Sequence, residues 1–323
     1  MKGRRVLITG GFGFIGSNLV HHFAEQGAIV TVLDNLDPNA GGNRNNLGGI
    51  ESKVKIIDGD IRDAACCVSA VAGQQLIIHC AALTSHKASQ ENPIEYEKTN
   101  ALGTLNLLEA VRHTNSGARF ISIGTSTQTG PMLRAPIDES HPEFPVDVYS
   151  ATKAASEKYV LVYAKSHGMR TSVVRLSNVY GPRANIQTAK FGFMNYFVGL
   201  ALQGKEISIF GDGAQLRTPF FVDDCVEAIC AVCESENAVG EVYFATGDRH
   251  ESVAAIAEMI VKQIGGTVRL VPWPSGNKAI DVGDAVISNE KIKTSVNWVP
   301  RTGLAEGLRR MREFYLPRLQ LYL

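Results

Sequence analysis

Short, nearly unbroken apolar runs recur through the first half of the chain, at 6–9, 29–33, 54–57, 76–80, 120–123 and 171–176. A strand with one wet face alternates apolar and polar residues, whereas a strand covered by helices on both faces does not. The runs are mostly of the second kind and predict buried strands. Between them, 17–25, 95–112 and 149–167 repeat apolar residues at helical spacing, which predicts helices with one buried stripe. Strand–helix–strand units in series predict an α/β fold built on a doubly wound parallel sheet with right-handed crossovers.

After Gly181-Pro182 the rhythm changes. The stretch 183–204 is rich in aromatics and holds a helix, 206–210 reads as a short strand, and 222–234 as a helix. A strand at 241–245 is placed to rejoin the main sheet, and a last helix falls near 304–314. The expected organisation is a Rossmann-like nucleotide-binding domain over 1–181, partly rejoined by 206–247. Residues 182–323 then form mainly a smaller, discontinuous α/β substrate-binding region. The Gly- and Asn-rich stretch 39–49 reads as a mobile loop beside the ligand.

Composition narrows the function classes. A chain of 323 residues that is 45% hydrophobic can bury a large core. Lys+Arg and Asp+Glu both total 32, so no global field favours nucleic acid or an anionic membrane. No apolar run reaches the ~20 residues that span a bilayer. The apolar stretch after Arg4-Arg5 stops at Thr9-Gly10, short of the ~7–15 residues of a signal core, and is read as the first strand. Six cysteines in a chain of this size form no secreted disulfide framework, which points to reducing cytosol. Cys230-x-x-Cys233 lies in an apolar helical pattern without a second ligand pair, so it is read as a buried helix face; no metal site is expected.

Three distant segments carry chemistry. Gly10-Gly11-Phe12-Gly13-Phe14-Ile15-Gly16 comes directly after the first strand and opens a helix, where backbone N–H groups can approach a pyrophosphate. Asp34 ends the second strand, and a carboxylate there accepts both ribose hydroxyls of an adenosine and repels a 2′-phosphate. No arginine adjoins it in Asp34-Asn35-Leu36-Asp37, which favours NAD over NADP. Asp60, after the third strand, is a candidate acceptor for the adenine amino group. Tyr149 and Lys153 lie one helical turn apart on a shared face, and an ammonium beside a phenol stabilises its phenolate. With Thr125 at the end of a strand, this set can polarise a carbinol and take its proton.

At these residues the chain resembles the extended short-chain dehydrogenase/reductase superfamily, specifically its NAD-dependent nucleotide-sugar epimerases and dehydratases, UDP-glucose 4-epimerase among them. Matching segments run nearly end to end: the glycine loop, Gly59-Asp60-Ile61-Arg62-Asp63, His79-Cys80-Ala81-Ala82 and Thr99-Asn100-x-x-Gly103-Thr104. Tyr149-Ser150-x-x-Lys153, 175–183, Gly211-Asp212-Gly213-x-Gln215-x-Arg217 and Val222-Asp223-Asp224 complete the series. The resemblance implies that Phe14, Ile15, Asp34, Asn35, Asp60 and Ile61 surround the adenine half of NAD. It places Cys80, Ala81, Ala82, Leu83 and Asn100 on the nicotinamide side, with Lys153 on the nicotinamide ribose. Tyr149 is the implied general base and acid, Thr125 the hydrogen-bond partner of the sugar oxygen, and Asn178 and Arg217 the holders of a nucleotide diphosphate. An ion pair of Arg217 with Asp223 or Asp224 is the alternative for that arginine. The family further implies a homodimer, packed through helices near 102–112 and 150–165.

The two residues after Thr125 discriminate among the sugar reactions. Dehydratase relatives carry Asp-Glu there and a decarboxylating relative carries Glu in the second place, whereas this chain has Ser126-Thr127. Hydroxyls do not replace a carboxylate in taking a proton from carbon. A 4-epimerase needs no such acid, so the expected activity is 4-epimerisation of a UDP-hexose or UDP-hexuronate through a transient 4-keto sugar. A dehydratase, decarboxylase or keto-sugar reductase is the enzymatic rival, and an NAD(H)-binding module without turnover the non-enzymatic one. Three features bear on the sugar: Gln128-Thr129-Gly130 stands where many relatives have Val-Tyr-Gly, Asp281 where many have arginine, and His86-Lys87, in the stretch after the fourth strand, is a candidate to meet a sugar carboxylate or phosphate, with a solvated loop as the alternative.

Overall fold

The computed structural model describes residues 1–274 and 282–323, so the reading of Asp281 lies outside the described residues. The first half runs β1 (Arg5–Thr9), α1 (Phe14–Glu25), β2 (Ile29–Asp34), β3 (Lys55–Asp58), α2 (Ala64–Val71), β4 (Leu76–His79), α3 (His86–Glu91), α4 (Pro93–Tyr96), α5 (Gly103–Thr114), β5 (Arg119–Thr125), α6 (Val148–His167) and β6 (Arg170–Leu176). The second half adds β7 (Asn178–Tyr180), α7 (Phe193–Leu202), β8 (Glu206–Phe210), β9 (Leu216–Arg217), β10 (Pro219–Phe221), α8 (Val222–Glu234), β11 (Val242–Ala245), β12 (Glu251–Ser252), α9 (Val253–Gln263), β13 (Thr267–Val271), α10 (Glu290–Val296) and α11 (Leu304–Tyr315).

Seven strands form one parallel sheet in the order β11-β6-β5-β4-β1-β2-β3. Its centre is buried on both faces, as the unbroken apolar runs require. Val6 and Ile8 enter a core with Leu19, Val20 and Phe23 of α1 and Ile229 and Val232 of α8. Leu7, between them, enters the opposite core with Val71 of α2, Leu107 and Leu108 of α5 and Val160 of α6. Residues 242–245 rejoin this sheet beside β6, with Val242 paired to Val173. A third core lies among α7, α9 and α11 and takes Ile207 and Ile209 from β8. Chain order reverses between β1 and β4, and the crevice beyond their C-terminal ends is where an α/β sheet binds ligands.

Four expectations are corrected. β3 is the sheet edge, and its Lys55 and Ile56 are exposed, so that run is not a doubly covered strand; a lysine there blunts edge pairing. The helix expected over 95–112 is broken by a wide π-type turn at Glu97–Leu102 between α4 and α5. Pattern alone cannot foresee that turn, because its cause is tertiary: Asn100 donates to Leu83 O at 2.9 Å and Thr152 Oγ1 at 3.0 Å and accepts from Leu83 N at 2.9 Å. The 39–49 stretch is pinned rather than loose. Asn46 is buried, donates to Phe12 O at 2.9 Å and Arg183 O at 3.1 Å, and accepts from Tyr322 Oη at 2.8 Å. Finally, α3 occupies what reads as a solvated loop, capped by Ser85 Oγ accepting from Ala88 N at 3.3 Å.

Candidate active site

A cleft of ≈ 550 Å³ opens at the strand-order reversal. At its floor, Gly10 takes a left-handed φ of 70°, and a Cβ there would lie 2.8 Å from Ala81 N. Gly13 donates its N–H to Gly10 O at 3.0 Å and caps α1 with no side chain, which leaves the first-turn N–H groups of the helix open toward an anion. A Cβ on Gly16 would sit 2.1 Å from Gly10 O. The loop therefore has the shape of a backbone cradle for phosphate, which fits a dinucleotide. We expect Gly16→Ala to cost about 1–3 kcal/mol through overpacking. Expressed in the cofactor's affinity, that is roughly 5- to 150-fold. A calorimetric titration that finds the affinity unchanged contradicts this reading of the loop.

Asp34 closes the next part of the wall. Its Oδ2 accepts from Phe12 N at 2.9 Å and its Oδ1 from Leu36 N at 2.8 Å, which holds Leu36 at a left-handed φ of 49°. Burial pushes its carboxyl above the usual range, against these two hydrogen bonds. Asp60 also lines the cleft, but its oxygens are already engaged by Asn35 Nδ2 at 2.8 Å and by Arg62 N at 2.8 Å and Nε at 3.0 Å. The Arg62 guanidinium also reaches Glu95. Asp60 is thus an anchor of the wall at least as much as an acceptor for a base.

The catalytic candidates converge from two elements. Thr125 ends β5, while Tyr149 and Lys153 lie in the first turns of α6, which is capped by Asp147 Oδ1 accepting from Ser150 N at 2.8 Å. All three are nearly enclosed, at 8%, 8% and 5% exposure, and all line the cleft. Burial pushes the Tyr149 phenol up to about 12, against the Thr125 hydroxyl, and the Asp147 and Tyr96 charges add to the rise. Burial also pulls the Lys153 ammonium down to about 8, against the negative pull of Cys80 and Glu157. The expected lowering of the phenol by its lysine is therefore not met in the protein alone, because desolvation dominates and the pull against it comes from the Thr125 hydroxyl rather than from Lys153. Ionising this phenol calls for further positive charge.

Ser126 and Thr127 extend the same wall with hydroxyls. Thr127 Oγ1 lies 3.0 Å from Thr125 Oγ1 and 2.9 Å from Ser150 Oγ. Gln128 and Thr129 turn away, a correction to the reading that they set polarity beside the sugar. Gln128 is fully buried and donates to Glu157 Oε2 at 2.9 Å, and Thr129 Oγ1 donates to Ser126 O at 2.8 Å.

Cys80, Ala81, Ala82, Leu83, Phe14, Ile15, Asn35, Ile61, Asn178 and Arg217 all face the cleft. Asn100 does not line it; its side chain is spent bracing Leu83 from behind. Arg217 donates to the carbonyls of Leu216 at 2.9 Å and Gly283 at 2.5 Å. The carboxylates considered as its alternative partners are engaged elsewhere, Asp223 with Arg310 and Asp224 Oδ2 with Thr302 N at 2.8 Å.

Sequence reasoning missed part of the wall. Lys190, Phe191 and Phe193 line it from the segment before and into α7, and a Cβ on Gly41 would touch the Phe191 ring at 3.0 Å. No spacing marks them. Asp147 lines it too, joined at 2.7 Å through Oδ2 to Nδ1 of His86, which the sequence does mark as a candidate beside the sugar. Asp147-Val148-Tyr149-Ser150 does carry a helix-cap signature that reveals the aspartate.

A family model described as the NAD dependent epimerase/dehydratase family matches residues 6–246. The chain belongs to that family. The family's cofactor is NAD, in keeping with the cradle and the Asp34 carboxylate. The chain is 33% identical over 322 residues to a dTDP-glucose 4,6-dehydratase of Streptomyces niveus, covering 96% of this chain and 92% of that one. Among solved structures it is similar to a UDP-glucose 4-epimerase of Thermotoga maritima with UDP-glucose, at 29% identity and a TM-score of 0.87 over 98% of this chain and 99% of that one. It is equally similar to a dTDP-glucose 4,6-dehydratase of Streptomyces venezuelae with NAD bound, at 28% identity and a TM-score of 0.88 over 98% of both. The protein is an enzyme of the nucleotide-sugar epimerase/dehydratase family. Among the described residues, no helix is long and apolar enough to cross a membrane.

Proposed function

We propose that this enzyme is a nucleotide-sugar 4-epimerase acting on a UDP-hexose or UDP-hexuronate. The observation that carries the reading is the wall beside Thr125, where Ser126 and Thr127 offer hydroxyls and no carboxylate. The glycine loop, Phe14, Ile15, Asp34 and Asn35 hold the adenosine end of the dinucleotide, and Lys153 holds its other ribose. Bound in its oxidised form, NAD supplies positive charge and a reversible hydride acceptor. Tyr149 takes the proton from the sugar O4 and later returns it, while Thr125 hydrogen-bonds the same oxygen. Asn178 and Arg217 hold the diphosphate, so that 1–181 serves mainly the cofactor and 182–323 mainly the substrate.

A dehydratase is the second reading, and one observation favours it: the ionisable pair Asp147 and His86 on the same wall. Incubation with UDP-hexoses, UDP-hexuronates and dTDP-glucose, with products resolved by NMR and mass analysis, separates the two. The leading reading expects an epimer of unchanged mass; loss of water or carbon dioxide refutes it. Exposed apolar Leu102, just before α5, and Val162 on α6 support a homodimer, and free thiols suit the cytosol. Light scattering at the mass of one 34.9 kDa chain would refute the dimer.

A further inference from the structure

The cleft holds one acid–base pair that 4-epimerisation leaves unused. Asp147 has a side chain only 1% exposed, and its Oδ2 lies 2.7 Å from His86 Nδ1. The His86 ring stands edge-on to the Tyr149 ring, with centroids 5.1 Å apart and planes at 89°. Both residues line the cleft with Thr125 and Tyr149. Burial alone would raise the Asp147 carboxyl, yet the hydrogen bond and charge of His86, with the Ser150 donors, hold it below its usual value. An ionised carboxylate only accepts hydrogen bonds, so His86 Nδ1 must carry the proton. With Nδ1 committed as donor to the carboxylate, Nε2 is the ring nitrogen left to act as a base whenever the ring is neutral. Among the described residues Nε2 has no hydrogen-bond partner, while the ring's exposure leaves it access to a ligand and to solvent.

Resting on the 4-keto reading, we propose that His86, positioned by Asp147, is a second general base that takes the proton from a carbon next to the transient ketone. Oxidation at C4 acidifies the hydrogens on C3 and C5. As His86 Nε2 removes one, the C–H electron pair forms a C=C bond, and the carbonyl π pair moves onto oxygen, beside the hydroxyls of Thr125 and Tyr149. Return of a proton from the imidazolium restores the ketone, with no net oxidation or reduction. The imidazolium exchanges with water between the two events, so the carbon acquires a solvent hydrogen. The hydroxyls of Ser126 and Thr127 have no such capacity, and the ionisable group after Thr125 in dehydratases is replaced here by one from a different element. The cleft is therefore equipped for proton exchange, and for inversion, at a centre adjacent to C4.

The test is turnover in D2O with a sugar that the enzyme epimerises, with deuterium at each ring carbon read by NMR per epimerisation event. Wild type is expected to place deuterium at C3 or C5, and His86→Gln to lower that ratio about 100-fold or more. Epimerisation without ring deuterium, or an unchanged ratio in His86→Gln, overturns the proposal and leaves the 4-epimerase reading standing. If no sugar is oxidised, the 4-epimerase reading itself fails. A second readout needs no turnover: nitrogen-15 spectra should show the Nδ1-protonated tautomer of His86 in wild type and its loss in Asp147→Asn. An Nε2-protonated ring in wild type overturns the proposal.

Discussion

Tyr149→Phe is expected to lower kcat about 1,000-fold while leaving NAD affinity within a few-fold of wild type. A positioned general acid–base group contributes roughly 100- to 10,000-fold, and Tyr149 is proposed to serve as base in one half-reaction and acid in the other. The substitution removes one oxygen and keeps the ring, whose place is set by its packing with Leu83 and Tyr96 and by the edge of His86. The cradle from Gly10 to Gly16 and Asp34 belongs to other elements and is untouched. Burial pushes the phenol up to about 12, so the protein alone favours its protonated form, and positive charge beside it favours ionisation. Turnover and NAD titration on the same preparation separate the two effects. A variant that turns over at the wild-type rate removes Tyr149 from the mechanism; one that loses NAD binding to the same degree assigns the tyrosine to the cofactor instead.

The second large effect lies beneath the site, in a buried ion pair that fastens α6 to β6. Glu157 accepts from Arg175 Nη2 at 2.6 Å and Nε at 2.7 Å, from Gln128 at 2.9 Å and from Lys158 at 3.1 Å. The side chains of Glu157 and Arg175 are 1% and 2% exposed. Glu157→Ala leaves a buried guanidinium and a buried amide without their main acceptor, which costs about 3–5 kcal/mol. Thermal unfolding is expected to drop by roughly 5–10 °C. Replacing both partners, as in Glu157→Leu with Arg175→Met, should recover part of the loss, since a buried pair gains little over well-packed apolar groups. Burial raises the Glu157 carboxyl, but Arg175 and Lys158 more than offset this and hold it below its ordinary value. Its stabilisation is therefore present above the unfolded carboxyl's pKa of about 4.3. It is lost as pH falls through the lower folded value, so wild type and Glu157→Ala should converge in acid. A constant gap across that range would contradict the assignment.

Legibility in the sequence depends on where the defining forces act. β1, β4, β5 and β6 are readable because burial on both faces leaves no polar alternation. β3 has the same apolar look at the sheet edge, where only tertiary placement tells it apart. α2 escapes notice because Ala64–Val71 has few polar residues to mark an outer face, and α3 because Ser89 is its one buried residue. In the site, the glycine loop and the Tyr149–Lys153 pair are legible because their geometry is local: one turn of loop and one turn of helix. His86 and Asp147 are 61 positions apart, and Phe191 meets the 39–49 stretch only across the cleft. Partners that far apart leave no period to detect. The same limit explains Gln128, which reads as a neighbour of the sugar by position, whereas its side chain serves Glu157.

The most direct test uses a nucleotide sugar carrying deuterium at C4, run in ordinary water, with the epimer analysed by NMR. The account predicts deuterium retained at C4 of the inverted product, because the hydrogen leaves and returns as hydride without meeting solvent. Deuterium lost from C4 to water, in a product whose configuration has changed there, would contradict it.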